Sequence, residues 1–449
     1  MKLFNSEELR STISGEVYTK EDKEYTKLKR VKNLIFDPQP VAIVNCQSEA
    51  DVVQTIRYCR ANEWPFTIKS TGHSASGFSS GDEKVVIDIA ALNQVVVEET
   101  SKRVRVGGGA NWFNVAQALT PYDLAITSGD MGGVGVGGNA QGSGMGFFVR
   151  KFGITADRIC GARLINADGE VVIVSKDKHP DLLWAIRGGA GNFGVVTEFI
   201  FEAHEGGTVL AGNLYYAFDQ KTIQELADYL YHAPEELNGT LSFTTFPFTD
   251  KMPEKNKNQL VIELMICFKG RQINCTEILK DLQNFKGYLF DEVKPTSYAD
   301  LFPPIDPSGS TLIFNLYTSN ISNSLLNELT KELRESGDPR LIAQVKVLGG
   351  NFGKVENGAM AYSHRDSRYL VILRKGFAAA EEALAANEKW KKKWGLLKGF
   401  SEGIDINFLG ITQVDELNQM YKPANLKKLK QLKQKYDPTN CFSGTLNIQ

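Results

Sequence analysis

The sequence predicts an α+β protein in two parts, one built from strands that open into glycine-dense loops and one an antiparallel sheet backed by helices. Two observations carry this. Glycine-rich turns follow strand-like runs between residues 64 and 194, and beyond Gly206 those turns give way to longer strand and helix patterns in alternation. A chain of 449 residues also exceeds what one hydrophobic core usually supports, which argues for at least two domains.

Taken in order, residues 1–35 mix helical pattern with charge, and Val41-Ala-Ile-Val44 reads as a strand. Ser48-Glu-Ala-Asp51 is a capping box that starts a helix running through Cys59. Trp64 to Lys69 is a strand leading into Ser70-Thr-Gly-His-Ser-Ala-Ser-Gly77 and on to Ser80. Strands at Lys84–Ile89 and Arg103–Val106 precede a helix from Asn111 to about Leu119. The stretch Ser128 to Gly146 holds nine glycines in nineteen residues. Ala162 to Val174 reads as two apolar strands about an Ala167-Asp-Gly169 hairpin turn, His179–Ile186 as a short helix, and Val195–Phe201 as a strand. Strands are then expected near 208–218, 240–248, 259–268, 311–317, 343–349 and 368–374, with helices near 220–232, 274–286, 322–336 and 378–395. A last helix is expected from Asp415 to Lys435, with Leu426, Leu429 and Leu432 as its buried stripe and its lysines solvated.

Composition narrows the functional classes. Hydrophobic residues at 42%, charged residues at 23% and a formal net charge of −2 give no electrostatic reason to expect nucleic acid or an anionic membrane as partner. No apolar run approaches membrane-spanning length, and the N-terminus lacks a signal-peptide pattern, so the expectation is a cytoplasmic protein of bacterial type acting on a small molecule. Six cysteines, at 46, 59, 160, 267, 275 and 441, show no C-x-x-C spacing, so neither a metal site nor a redox pair is expected.

The chemistry concentrates in the glycine loops. Gly72 and Gly77 let the backbone turn sharply around His73, and successive backbone N–H groups there can cradle a phosphate. The segment Gly132-Gly-Val-Gly-Val-Gly-Gly138 is too well framed by strands to be a flexible linker. Together with Arg187-Gly-Gly-Ala-Gly-Asn-Phe-Gly194 and the terminal Tyr436-Asp-Pro-Thr-Asn-Cys-Phe442, these motifs resemble the berberine-bridge-enzyme-like branch of the FAD-linked oxidases. The flavin domain of that branch is of the vanillyl-alcohol-oxidase type, and the resemblance runs from about Pro40 to the last residues.

The resemblance implies an FAD-binding domain from residues 1–205 and 410–449 and a substrate-binding domain from 206–409. It implies that His73 bonds covalently to a methyl group of the flavin, with Ser70, Thr71, Gly72 and Ser74 around it. Gly132, Gly133, Val134, Gly137 and Gly138, then Gly142, Ser143 and Gly144, would wall the cofactor, and Val195 and Val196 would border its adenine end. Met131 stands where many relatives carry a second, cysteinyl attachment, so a single link through His73 is expected. Val134 stands at the position held to gate oxygen.

The family's usual Y-x-N triplet is matched here by Asp405-Ile-Asn407, in which Asn407 fits and Asp405 replaces the tyrosine. Asp405 is then either the base itself, its pKa raised by burial, or a bystander. Tyr362, His364 and Tyr369 are the other candidates, and His364 with Arg365 also reads as a structural hydrogen bond at a sheet edge. The implied activity is oxidase chemistry: hydride from an alcohol, sugar or secondary metabolite passes to FAD, and O2 is reduced to H2O2. A dehydrogenase with another acceptor and a flavoprotein with a structural role are the alternatives. Oligomeric state is not legible.

Overall fold

The computed structural model describes residues 4–79, 81–245, 251–302, 308–413 and 416–449, and of residues 272–275 only the backbone. Ser80, the end of the strand read at 240–248, Asp415 and the Cys275 thiol lie outside the described residues.

The first sheet has the spatial order Glu16–Tyr18, Ala42–Asn45, Val85–Asp88, Phe66–Lys69, and both neighbours of the third strand run parallel to it. Parallel strands covered on both faces read as continuous apolar runs, and Val85-Val-Ile-Asp88 is buried at every position. The crossover helix Glu49–Ala61 opens with the capping box formed by Ser48 and Asp51. A second sheet, of five antiparallel strands, has the order Val95–Glu98, Arg103–Gly107, Val195–Glu202, Ile159–Ile165, Val171–Ser175. The last two are joined by the expected hairpin turn, with Gly169 at φ +69°.

The third sheet has eight strands. In spatial order they are Tyr288–Asp291, Thr208–Ala217, Leu260–Phe268, Leu237–Thr245, Leu341–Val347, Tyr369–Phe377 and Ser310–Thr318, with Lys294–Ser297 also paired to Thr208–Ala217. All pairings are antiparallel. The two short strands at one edge carry no buried alternation and were not legible in the sequence.

Period-two alternation divides this sheet into two unlike faces. Leu214, Ile262, Leu264, Leu241, Phe243, Val345, Val371 and Phe314 lie on one, in the same buried cluster as Leu226 and Leu230 of helix Gln220–His232, Leu326 and Leu329 of Asn323–Ser336, and Trp390 and Trp394 of Ala380–Leu397. The other face is polar for a sheet interior. One cross-strand row runs Tyr215, Glu263, Ser242, Gln344, Ile372, Asn315, and the next runs Asn213, Met265, Thr240, Lys346, Leu370, Tyr317.

The C-terminal expectation needs correction. Residues 416–435 do not form one helix: Leu417–Met420 is a single turn, and the helix proper is Pro423–Tyr436. Proline cannot sit inside a helix but suits its first position, so the chain restarts there. Leu426, Leu429 and Leu432 are its buried stripe, and Lys435 and Tyr436 bind Asp181 at 2.6 and 2.8 Å, fastening it to helix Pro180–Ile186.

Candidate active site

The His73 loop leaves strand Phe66–Lys69 at the end of the parallel sheet, where Gly72, at φ +73°, accepts the Lys32 N–H through its carbonyl. The Thr71 hydroxyl lies 2.9 Å from His73 Nδ1, and the Ser70 hydroxyl donates to the Gly108 carbonyl at 2.9 Å. Ser74 closes the turn by accepting the Gly77 and Phe78 N–H groups.

The glycine stretch is laced to the residues before it. Phe113 N–H donates to Gly132 O at 2.8 Å, Trp112 N–H to Val134 O at 3.1 Å and Gly137 N–H to Gly108 O at 3.1 Å. Glycine is required for this approach: a Cβ on Gly135 would lie 2.6 Å from the Ser70 hydroxyl, and one on Gly137 would lie 2.6 Å from Gly108 O. A Cβ on Gly108 would in turn meet Val196 O, so the His73 loop, the glycine stretch and strand Val195–Glu202 converge on one backbone. On Gly138, by contrast, an added Cβ would meet nothing within 4 Å. The helix Val136–Gly142 thus has tight backbone behind and an opening in front. Val195 is buried on the strand side, Gly133 stands between the laced carbonyls of 132 and 134, and Gly144, at φ +76°, packs on Thr155.

Asp405 lies at the junction of this cradle and the polar face of the large sheet. Its backbone N–H donates to Asn315 Oδ1 at 2.6 Å, and Asn315 Nδ2 donates back to its carbonyl at 3.0 Å, so one side chain of strand Ser310–Thr318 holds both. The carboxylate is 1% exposed. Oδ1 accepts from the Ser143 hydroxyl at 3.0 Å and from Asn407 N–H at 2.8 Å; Oδ2 accepts from the Tyr317 hydroxyl at 2.6 Å. Tyr317 spends its single O–H on Asp405, so the 2.7 Å contact between the Tyr317 and Tyr362 oxygens is donated by Tyr362. Asn407 Nδ2 donates to Asn139 O at 2.9 Å and to Ser143 Oγ at 3.0 Å, which seats the 405–407 turn on the glycine helix.

Burial pushes the Asp405 carboxyl above its ordinary range; its hydrogen bonds and the nearby Lys346 ammonium act the other way. Burial, with the adjacent carboxylate, holds Tyr317 and Tyr362 well above the usual phenol value, so both hydroxyls keep their protons. Lys346 is 5% exposed, ion-paired with Asp130 and above the Phe408 ring at 5.7 Å.

The structure therefore gathers Asp405, Asn407, Tyr362 and Ser143, and adds Tyr317, which sequence reasoning missed. His364 stacks on Tyr317 at 4.9 Å between ring centroids and bonds the Met420 carbonyl through Nε2 at 3.0 Å. Burial pushes its pKa down to about 4, so it is neutral. Arg365 forms a buried pair with Asp157 at 2.5 Å beneath Tyr362, an ion pair off the strands where the sequence suggested a hydrogen bond at a sheet edge. Tyr369 stands apart. It pairs across strands with Thr318, one residue on from Tyr317, and so lies on the opposite face, against Tyr231. Met131 is 39% exposed beside Asp130. Among the described residues no cluster could hold a metal ion, and no helix is long and apolar enough to cross a membrane.

Set beside known proteins, this glycine cradle facing a buried carboxylate is that of an FAD-linked oxidoreductase, and two stretches of the chain match families of these enzymes. The family described as FAD binding domain matches residues 40–175, and that described as berberine and berberine like matches residues 406–449. The chain is 26% identical to (R)-6-hydroxynicotine oxidase from Paenarthrobacter nicotinovorans, over 97% of each chain. Its fold is that of wild-type BBE-like 1 of Physcomitrella patens, at a TM-score of 0.87, 20% identity and 98% of each chain. Xylooligosaccharide oxidase from Myceliophthora thermophila, solved with xylobiose, superposes at a TM-score of 0.85 with 21% identity over 99% of each chain.

Proposed function

We propose that the protein is an oxidase of small molecules, taking hydride from a CH–OH or related carbon, with Asp405 and Tyr317 as its proton-accepting pair. The supporting observation is the 2.6 Å Tyr317–Asp405 hydrogen bond, buried on the sheet face that meets the glycine cradle. The oxidase from Paenarthrobacter, similar along almost the whole chain, supports the reaction class.

The residues present suit the cofactor. Gly138 leaves open space in front of the glycine helix while Gly135 and Gly137 let its backbone close on Ser70 and Gly108 behind, and His73, beside Thr71, is the attachment point, alone, because Met131 offers a thioether in place of a thiol. Bound FAD supplies a two-electron acceptor that is returned to its oxidised form by O2, releasing H2O2.

The rest is the work of the chain. A proton taken at the Tyr317 oxygen is matched by the proton of Tyr317 passing to Asp405 Oδ2, so no phenolate accumulates in a buried site. Tyr362 donates to Tyr317 and fixes the lone pair left for a substrate hydroxyl; Ser143 and Asn407 N–H hold the other carboxylate oxygen. We assign residues 206–409 to substrate and the remainder to cofactor. Anaerobic mixing with candidate alcohols, followed by peroxide assay in air, tests this: bleaching that reverses in air with peroxide released is expected, and persistence of the reduced state in air would remove the oxidase reading.

A further inference from the structure

On the polar sheet face, Glu263 and Arg374 stand in a relation unlike the closed ion pairs elsewhere in the molecule. Glu263 sits in the row that runs Tyr215, Glu263, Ser242, Gln344 toward Asn315, and Arg374 sits one row over, paired with Ile342 and Ile313. Both side chains are only partly open to solvent, and the Arg374 charge reaches the Glu263 carboxylate. Yet they are not in ion-pair contact, neither forms a hydrogen bond or ion pair with any described residue, and Arg374 Nε is buried without a partner.

A structural pair would have closed. Arg365 and Asp157 do so at 2.5 Å in the same molecule, and Lys346 and Asp130 do so on this same face. The next carboxylate, Glu292, is occupied by Lys251 at 3.2 Å. Between the two charges, Gln344 Nε2 donates to Ser242 Oγ at 3.0 Å, which leaves the Gln344 carbonyl and the Ser242 proton turned to the same ground. Charges removed from water and left without partners are costly unless something complements them. A neutral hydroxyl gives each a weak partner; a group carrying both signs gives each a strong one while adding no net charge.

We propose that Glu263 and Arg374 form a bipolar recognition site for the far end of the substrate, which therefore carries an ammonium and a carboxylate together, as an amino acid does. Glu263 takes the ammonium, Arg374 the carboxylate. The inference rests on the reading that Asp405 and Tyr317 mark the reacting end. From the Tyr317 strand to the Glu263 strand is four strand spacings, roughly 19 Å, and Arg374, on the strand beside that of Tyr317, pairs with Ile313 four residues along, roughly 13 Å, so both charges lie away from the reacting end and the substrate is elongated. Met265, half-buried on the Glu263 strand and on the Tyr317 row, suits an apolar middle.

The test uses the flavin-loaded protein and its Asp405→Asn variant, with binding read by calorimetry so that turnover is not needed. The probes are a long-chain ω-hydroxy α-amino acid, the matching hydroxy acid, the matching amino alcohol and a cello-oligosaccharide. The amino acid is expected to bind roughly tenfold or more tighter than either singly charged probe, and Glu263→Gln and Arg374→Met are each expected to abolish that advantage. Arg374→Lys, which keeps the charge, should retain part of it and guards against misfolding of the methionine variant. Equal binding of the singly charged probes, tighter binding of the oligosaccharide, or an advantage that survives both substitutions would overturn the proposal. Binding of the amino acid without oxidation by the wild type would leave this site standing and count against the oxidase reading instead.

Discussion

The Tyr317 hydroxyl donates to Asp405 Oδ2 at 2.6 Å across 88 residues of sequence, joining the edge strand of the large sheet to the turn that docks on the glycine helix. If this pair accepts the substrate proton, Tyr317→Phe and Asp405→Asn should each slow anaerobic flavin reduction by about 10²–10⁴-fold while folding and flavin content stay intact. Tyr362→Phe should cost less, because Tyr362 reaches the reaction through Tyr317. Equal rates in all three variants, measured by stopped flow, would remove the assignment.

The pH profile gives a separate handle. Asp405 must be ionised to accept a proton, so the reduction rate should fall as pH falls through its pKa, and burial places that limb above the ordinary carboxylate range. Lys346 pulls in the other direction. Lys346→Met should therefore move the limb to higher pH, and Asp405→Asn should abolish it.

Attachment of the cofactor is tested without turnover. Acid-precipitated protein should stay yellow, His73→Ala should release its flavin under the same treatment, and peptide mapping should find one FAD on the His73 peptide and none on a cysteine. Free FAD from the wild type would contradict a covalent link.

Two buried histidines predict an acid-side loss of stability. Burial pushes His364 down to about 4 and His204 to about 3, from 6.5. Between pH 6.5 and those values the unfolded chain binds protons that the folded chain does not. Their contribution is thus complete above 6.5 and lost as pH falls, on the order of 3 kcal/mol for His364. Urea unfolding at neutral and mildly acid pH should show this slope, and His364→Gln should flatten it.

Removing one partner of the Arg365–Asp157 pair, 2% and 8% exposed, should be among the most damaging single changes outside the site. Arg365→Met leaves a buried carboxylate uncompensated and should cost about 3–5 kcal/mol by denaturant unfolding.

The glycine loops were legible because their backbone needs are written in residue type: Gly72 turns at positive φ, and Gly135 and Gly137 admit neighbouring backbone. The longer strands and helices beyond Gly206 were legible from periodicity, but the short edge strands Tyr288–Asp291 and Lys294–Ser297 and the break before Pro423 were not. Tyr317 was not, since within Ser310-Thr-Leu-Ile-Phe-Asn-Leu-Tyr-Thr318 it looks like any strand tyrosine. Only the pairing of this strand with Tyr369–Phe377 shows that Tyr317 faces the cradle and Tyr369 does not. Register is a long-range property, and local pattern does not carry it.

The split between the two faces of the large sheet also sets which sequence changes this enzyme can absorb. Substitution among apolar residues on the helix side of Ser310–Thr318 leaves Tyr317 and Asn315 where they are. A single-residue insertion or deletion between Asn315 and Tyr317 would turn the tyrosine toward the helices and bring Leu316 or Thr318 to Asp405 in its place. Length drift across the family should therefore collect in the connecting segments and spare this strand, while apolar residues on its helix side interchange within the volume the core allows.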